Sequence, residues 1–284
     1  GANQFANFCK PVLAQDLPTA EQVAAKDYVN YQGKVLRIAP DGAVPADNPE
    51  IGGVRSHVYT YGHRNPQGII FGPDGSLFQS EQGPKTDDEV NLLQAGGNYG
   101  WPFVAGYRDD QAYVYGAWAA APDCASLTFS DYEIPESVPK HIETEWTEDF
   151  VEPMKTFFTV WNGYSFHDEK CGDMAFICWP TIAPSSIDYY ASDAVPGWKD
   201  SLLVTSLKNG AIYRLGLNGD GKSVQGDVEK LFDSQNRYRD LAISPDGKTV
   251  FVAADIGGIT RATDGGTTDQ LANPGAILAF TYGE

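Results

Sequence analysis

The fold class this sequence predicts is all-β: repeated strand pairs arranged as a β-propeller, in preference to a β-solenoid. One observation behind it is a hairpin that occurs twice. "GIIFGPDGSLFQSEQG" (Gly68 to Gly83) and "LAISPDGKTVFVAADIG" (Leu241 to Gly257) share an apolar strand, a Pro-Asp-Gly turn and a second apolar strand ending in an acid, with glycine two residues later. A third unit, "DSLLVTSLKNGAIYRL", keeps the later strands. Pro-Asp-Gly alone is only a good hairpin turn; its recurring flanks make it a repeat. Strand repeats that cannot each bury a face alone mark propellers and solenoids, and the long, unequal units with irregular insertions favour the propeller. The other observation is that helical periodicity is scarce.

The elements follow in order. "TAEQVAAKDY", Thr19 to Tyr28, is the best helix, with Thr19 as N-cap and Gln22 at the third helical position. "GKVLRIAPDG", "QGIIFGPDGSLFQSEQG", "DSLLVTSLKNGAIYRLGLNGDG" and "DLAISPDGKTVFVAAD" each read as strand, tight turn, strand. The last apolar run, "GAILAFTYG" at Gly275 to Gly283, reads as a closing strand, which would be hazardous as a free edge. The 284 residues exceed the usual single core, but β-propellers reach this length as one domain, so residues 1–284 are read as belonging to one.

Composition narrows the function. A formal net charge of −18, from 20 Lys plus Arg against 38 Asp plus Glu, argues against a nucleic-acid partner, which needs clustered cations. No apolar run approaches the roughly 18 residues of a membrane span. Of the four cysteines, Cys171 and Cys178 in "CGDMAFIC" can close a small loop and match no zinc spacing, so a disulfide is expected there, and with it an oxidising compartment. Cys9 with Cys124 is a second pairing. The opening "GANQFANFC" lacks the basic and apolar regions of a signal peptide.

Cations gather at equivalent places in the repeats. Arg64 in "GHRNPQG" lies nine residues before Pro73, and Arg237 and Arg239 in "NRYRD" lie just ahead of the other Pro-Asp-Gly copy. Lys208 sits at the far end of a second strand, as do Glu81 and Asp255 in their units. If one strand leaves a face and the next returns, these groups share that face, and four cations in an acidic chain make an anion site. The alternative is that each cation pairs with a nearby acid. The acid-, glycine- and proline-rich stretch "SEQGPKTDDEVNLLQAGGNYGWP" offers calcium-type donors: carbonyls at Gly83 and Pro84, then Asp88, Glu89, Tyr99 and "AGYRDD" to Asp109. It does not match an EF-hand, and acid-rich loops are usually only solvated.

"YTYGHRNPQG", "SEQGPKTDDEVNLLQAGGNYGWPFVAGYRDD", "CGDMAFICWPTIAPSS", "SLKNGAIYRL" and "NRYRD" together resemble the soluble quinoprotein glucose dehydrogenase family, six-bladed propellers that oxidise aldoses with pyrroloquinoline quinone (PQQ) and calcium. The resemblance covers nearly the whole chain. It implies that the tricarboxylate PQQ is held by Arg64, Asn65, Lys208, Arg237 and Arg239, with Arg64 near the reactive quinone. It implies calcium on the Gly83 and Pro84 carbonyls, and further structural calcium on Glu89, Tyr99, Ala105, Tyr107, Asp109 and Glu143 near the family's dimer interface, with Glu145 a close competitor for Glu143. The sugar pocket falls on Phe176, Trp179 and Thr181, Phe176 standing where a compared family member has tyrosine. His57, His63, His141 and His167 match nothing catalytic; the family's histidine base corresponds to no position here. By this count the chain is the C-terminal part of one six-bladed domain, about three blades and part of another. The N-terminal remainder would then be a partner, and a periplasmic or secreted location is implied. A non-catalytic, calcium-stabilised propeller that binds a sugar or a protein, and a hydrolase with calcium-activated water, are the competing functions; four retained cations favour the dehydrogenase, since a sugar binder needs no tricarboxylate cradle.

Overall fold

The computed structural model describes residues 7–130 and 133–283. Two compact units divide the chain: one takes in the chain up to Pro66, Leu93–Pro153 and Thr159–Tyr164; the other comprises Gln67–Leu92, Met154–Phe158 and Ser165–Glu284.

The second unit holds the expected repeats as antiparallel sheets. In one sheet the strands Pro66–Phe71, Leu77–Glu81 and Asp88–Leu93 lie side by side, and Lys155–Phe157 adds a fourth, pairing Thr156 with Glu89. Another sheet runs Pro184–Tyr190, Ser201–Ser206, Ile212–Leu217, Val224–Leu231, with Ile187 opposite Val204 and Val204 opposite Tyr213. All six residues of Ser201–Ser206 are buried, as suits a strand covered on both faces. A third sheet orders Tyr238–Ile243, Thr249–Ala254 and Ile277–Thr281, with Leu241 opposite Val252 and Val252 opposite Leu278.

Two apolar clusters fill this unit. Phe78, Val90, Phe157, Leu202, Val204 and Leu215 belong to one; Tyr190, Leu203, Ile212, Tyr238, Val250 and Val252 belong to the other. Alternate residues of Ser201–Ser206 feed the two, Leu202 and Val204 on one side and Leu203 on the other, as the period of two along a strand requires. The strand Ile277–Thr281 is the outer member of its sheet, and among the described residues nothing pairs with its other edge. Beside it lies an apolar groove of about 620 Å³ lined by Val195, Trp198, Phe232, Val250 and Phe280, where the Phe232 and Phe280 rings stack at 4.0 Å.

The first unit has shorter elements. The helix forms at Ala20–Ala25 with the expected capping box: Thr19 accepts the Gln22 N–H and the Gln22 side chain accepts the Thr19 N–H. It stops short of Tyr28 because Lys26 turns into the left-handed region at φ 55. The expected hairpin in "GKVLRIAPDG" does not form. Lys34–Leu36 pairs instead with Val58–Tyr61, while Ala39 and Ala43 close a turn between themselves. Pro45 and Pro49 follow that turn, and residues without an N–H cannot extend a ladder.

Both disulfides are present. Cys9 bonds Cys124 at 2.05 Å, joining points 115 residues apart, and Cys171 bonds Cys178. No described helix is long and apolar enough to cross a membrane.

Leu203, fully buried between these sheets, sets an expectation for stability. Leu203→Ala should lower the unfolding free energy by about 2 to 5 kcal/mol through lost transfer energy and a residual cavity, read from urea denaturation at unchanged m-value.

Candidate functional site

In the second unit the loop ends of the three sheets meet through a few buried hydrogen bonds. Asp88, at the start of its strand and 1% exposed, accepts the Gly83 N–H at 2.8 Å on Oδ1 and the Ile182 and Ala183 N–H groups, each at 2.7 Å, on Oδ2. Ala183 passes the connection on, its carbonyl accepting the Leu207 N–H at 3.1 Å. The Thr260 hydroxyl then spans two carbonyls, Lys208 at 2.8 Å and Asn236 at 2.9 Å. These bonds tie together the segments that carry Gly83, Lys208 and, one residue after Asn236, Arg237.

Lys208 is 4% exposed, and its ammonium donates to the Trp179 carbonyl at 2.8 Å and the Thr181 hydroxyl at 2.7 Å. Burial drives the lysine pKa down and the Asp88 pKa up, while their mutual attraction opposes both shifts. Lys208 is thus bonded to the backbone and side chain of two of the residues assigned to the sugar. Trp179 is fixed in turn by its indole N–H, which donates to the Phe166 carbonyl at 3.1 Å. Phe176, 46% exposed, lies in the short helix Ala175–Cys178 within the Cys171–Cys178 loop. Arg261 backs that loop by donating to the Ile177 carbonyl at 2.9 Å.

The two arginines share one carboxylate. Arg239 makes a two-pronged bond to Asp255, Nε to Oδ1 at 2.9 Å and Nη2 to Oδ2 at 2.8 Å, and Arg237 Nε reaches Oδ2 at 3.2 Å. Arg237 also donates to the Ile259 carbonyl at 2.6 Å. A side chain at Gly258 would put its Cβ 2.7 Å from Arg237 Nε, so the close approach of this loop to the guanidinium requires glycine. The nearby-acid pairing weighed from the sequence is therefore real, but one acid against two cations leaves a positive charge, and Arg239 keeps 47% of its side chain exposed.

The turn carrying Gly83 and Pro84 is equally constrained. A Cβ at Gly83 would collide with the Thr86 and Asp87 carbonyl oxygens, and Asp87 holds φ 57. Of the other residues assigned to calcium, Glu89 belongs to the second unit, 8% exposed, with Oε2 accepting from Asn91 at 2.9 Å.

The first unit holds the remainder. Glu143 is fully buried and accepts the N–H groups of Ala105 at 2.9 Å, Asp109 at 3.3 Å and Asp110 at 2.9 Å. Burial pushes its pKa up to about 8 against those amides. Glu145, its sequence competitor, is exposed and paired with His141 at 2.9 Å, so the buried loop centres on Glu143. Tyr99 is buried with its ring stacked on His63 at 4.6 Å, and Ala105 and Tyr107 frame the same segment as Asp109. Arg64 lies 5.4 Å over the Trp101 ring, with Asn65 beside it in sequence. Among the described residues, no three His, Cys, Asp or Glu side chains are grouped to hold a metal.

Three of the four histidines are tied into the surrounding structure. His63 is buried and bonded to the Thr60 hydroxyl at 2.8 Å, His57 bonds the Tyr31 hydroxyl at 2.8 Å, His141 pairs with Glu145, and His167 is exposed. Sequence reasoning missed the roles of Asp255 and Thr260. The acid closing each repeat's second strand was the available signal for Asp255; nothing local marked Thr260.

Comparison with known proteins adds three findings. The family model described as "Glucose / Sorbosone dehydrogenase" matches residues 16–127 and 163–261. The chain is 47% identical over 99% of its length to quinoprotein glucose dehydrogenase B of Acinetobacter calcoaceticus, covering 60% of that protein, and 29% identical over 80% of its length to an aldose sugar dehydrogenase of Escherichia coli, covering 49% of it. Among solved structures it resembles the PQQ-bound form of aldose sugar dehydrogenase from Streptomyces coelicolor, at 25% identity and TM-score 0.50, over 89% of this chain and 53% of that one. The chain thus spans about 60% or less of these relatives' lengths. These likenesses, with the antiparallel sheets, place the fold in the β-propeller class.

The Asp255 pairing generates a pH dependence. Arg239 hydrogen bonds, then the Arg239 charge and Arg237, hold the Asp255 carboxyl below its ordinary range despite partial burial. A carboxyl lowered in the folded state contributes stability that is present above its unfolded pKa and lost as pH falls through the folded one. The stability difference between wild type and Asp255→Asn should hold from neutral pH to about 5 and close below about 4. Urea midpoints across that range check it; a difference that persists unchanged at lower pH would remove the ion pair as its source.

Proposed function

Because the chain belongs to the glucose/sorbosone dehydrogenase family, we propose that it supplies the cofactor and sugar sites of a PQQ- and calcium-dependent aldose dehydrogenase. The observation that carries this reading is that Thr260 ties the Lys208 carbonyl to the Asn236 carbonyl, one residue before Arg237, while Arg237 and Arg239 share the Asp255 carboxylate. A neutral sugar has no need of such cations, whereas a planar tricarboxylate does.

The residues present fit these groups. Arg239 retains exposed surface beyond Asp255, and Lys208 offers an ammonium held by two oxygens. Arg64 and Asn65, in the first unit, are assigned to the cofactor on the sequence alone. The Gly83 and Pro84 carbonyls are assigned to calcium on the sequence alone; Glu143, fully buried and held by backbone amides, fits a structural calcium with the Ala105, Tyr107 and Asp109 segment.

When bound, PQQ supplies a quinone that accepts hydride from C1 of the aldose, giving the lactone. The chain's own residues bind and orient. Arginines and lysine neutralise carboxylates by charge-assisted hydrogen bonds. Phe176 and Trp179 offer flat apolar faces to a pyranose, and the Cys171–Cys178 bond limits the freedom of the Phe176 segment. We assign the proton acceptor for the sugar hydroxyl to the family's histidine, which none of His57, His63, His141 and His167 matches, and which is expected in an N-terminal remainder of the propeller. The outer edge of Ile277–Thr281, without a partner among the described residues, and its apolar groove support pairing with that remainder. Two disulfides support a periplasmic or secreted location.

Titrating PQQ with calcium and following the bound-quinone absorbance tests this reading. Arg239→Ala and Arg237→Ala should each cost about 1.5 to 3 kcal/mol of PQQ binding, roughly ten- to a hundredfold; wild-type affinity in both would remove them from the site. The complete protein should reduce dye in the presence of glucose, and binding without turnover would leave a non-catalytic sugar binder.

Calcium removal should lower the melting temperature even without PQQ, because Glu143 and Asp109 then lose their counter-charge. An unaltered melting curve in chelator, with bound metal verified absent, would assign these acids to solvent.

A further inference from the structure

Asp88 connects two loops far apart in sequence, since Ile182 and Ala183 lie 94 and 95 positions beyond it. Ala183 sits at φ 50, a left-handed conformation that is strained for a residue with a Cβ. It is held there from both sides, its N–H by Asp88 and its carbonyl by the Leu207 N–H. Two residues earlier, the Thr181 hydroxyl accepts from Lys208 Nζ. On the other side of the carboxylate, the Gly83 N–H is anchored immediately before Pro84, whose ring fixes the next φ. The proposed calcium-facing turn and the partner of the proposed cofactor lysine thus depend on one buried side chain.

Resting on the quinone and calcium assignment above, we propose that Asp88 is a positioning residue, a single carboxylate that sets the Gly83–Pro84 turn and the 181–183 loop, and through it Lys208, before any ligand binds. Asp88 touches neither sugar nor cofactor in this role. Its effect is preorganisation: a frame already fixed loses less freedom on binding.

Asp88→Asn keeps the volume but replaces one acceptor oxygen by an NH₂ donor, so either Gly83 or the 182–183 pair loses its acceptor. Amide hydrogen exchange at Gly83, Ile182 and Ala183 should accelerate about tenfold or more relative to Ser201–Ser206, and PQQ affinity should fall by about tenfold. The loss in Asp88→Asn with Lys208→Ala should be smaller than the product of the two single losses, because both act through one ammonium. Adding Ala183→Gly relieves the left-handed strain; it should recover the melting temperature of Asp88→Asn but not its PQQ affinity, a separation that a purely structural role would not give. It also keeps the comparison open if Asp88→Asn alone fails to fold. Asp227→Asn, exposed on its strand, should alter neither reading. Accelerated exchange with wild-type affinity overturns the positioning role, and so does unchanged exchange at the three amides. If the wild-type protein binds no PQQ, the cofactor assignment fails and the exchange measurement alone decides the clamp.

Discussion

A buried carboxylate in the middle of three backbone amides is the constraint on which the alignment of the second unit's loop ends depends. Asp88 is too buried to be solvated, so its charge must be met by N–H groups and by Lys208. Meeting it fixes the loops that supply those groups. The Thr260 hydroxyl repeats the arrangement with reversed polarity, one donor between two carbonyls. The sheets provide the scaffold, and these few polar contacts decide how their loop ends are aligned.

Charge is distributed differently in the two units. In the second, Arg237 and Arg239 share the single carboxylate of Asp255, and burial works against the charge of Lys208. In the first, Glu143 is surrounded by amides and by Asp109, whose charge raises its pKa further. An overall charge of −18 conceals this contrast. The same physics of burial lowers the Lys208 pKa in one region and raises the Glu143 pKa in the other.

The apolar core explains why such polar arrangements are tolerated. Ser201–Ser206 is buried throughout and feeds two clusters, so its position is fixed by packing on both faces. Loops carried at its ends inherit that rigidity. Gly83 and Gly258 mark where backbone passes too close to other atoms for any side chain.

The hairpins at Gly68–Gly83 and Leu241–Gly257 were legible in the sequence because turn chemistry and strand alternation act between neighbours. So were the helix cap at Thr19, the Cys171–Cys178 bond, and the gathering of Lys208 and Arg237, which follows from where a returning strand must end. Strand partners of the first unit were not legible: Lys34–Leu36 pairs with Val58–Tyr61 across an intervening proline-rich segment, and local signals cannot select among distant partners. Nor was the choice of Glu143 over Glu145, two similar residues separated only by burial. By itself the sequence determined the turns, the short-range covalent closure and the residue types at each loop end. Only the tertiary structure decided which carboxylates are buried and which amides they hold, because burial depends on chain segments brought together from far apart, as Asp88 is with Ile182 and Ala183.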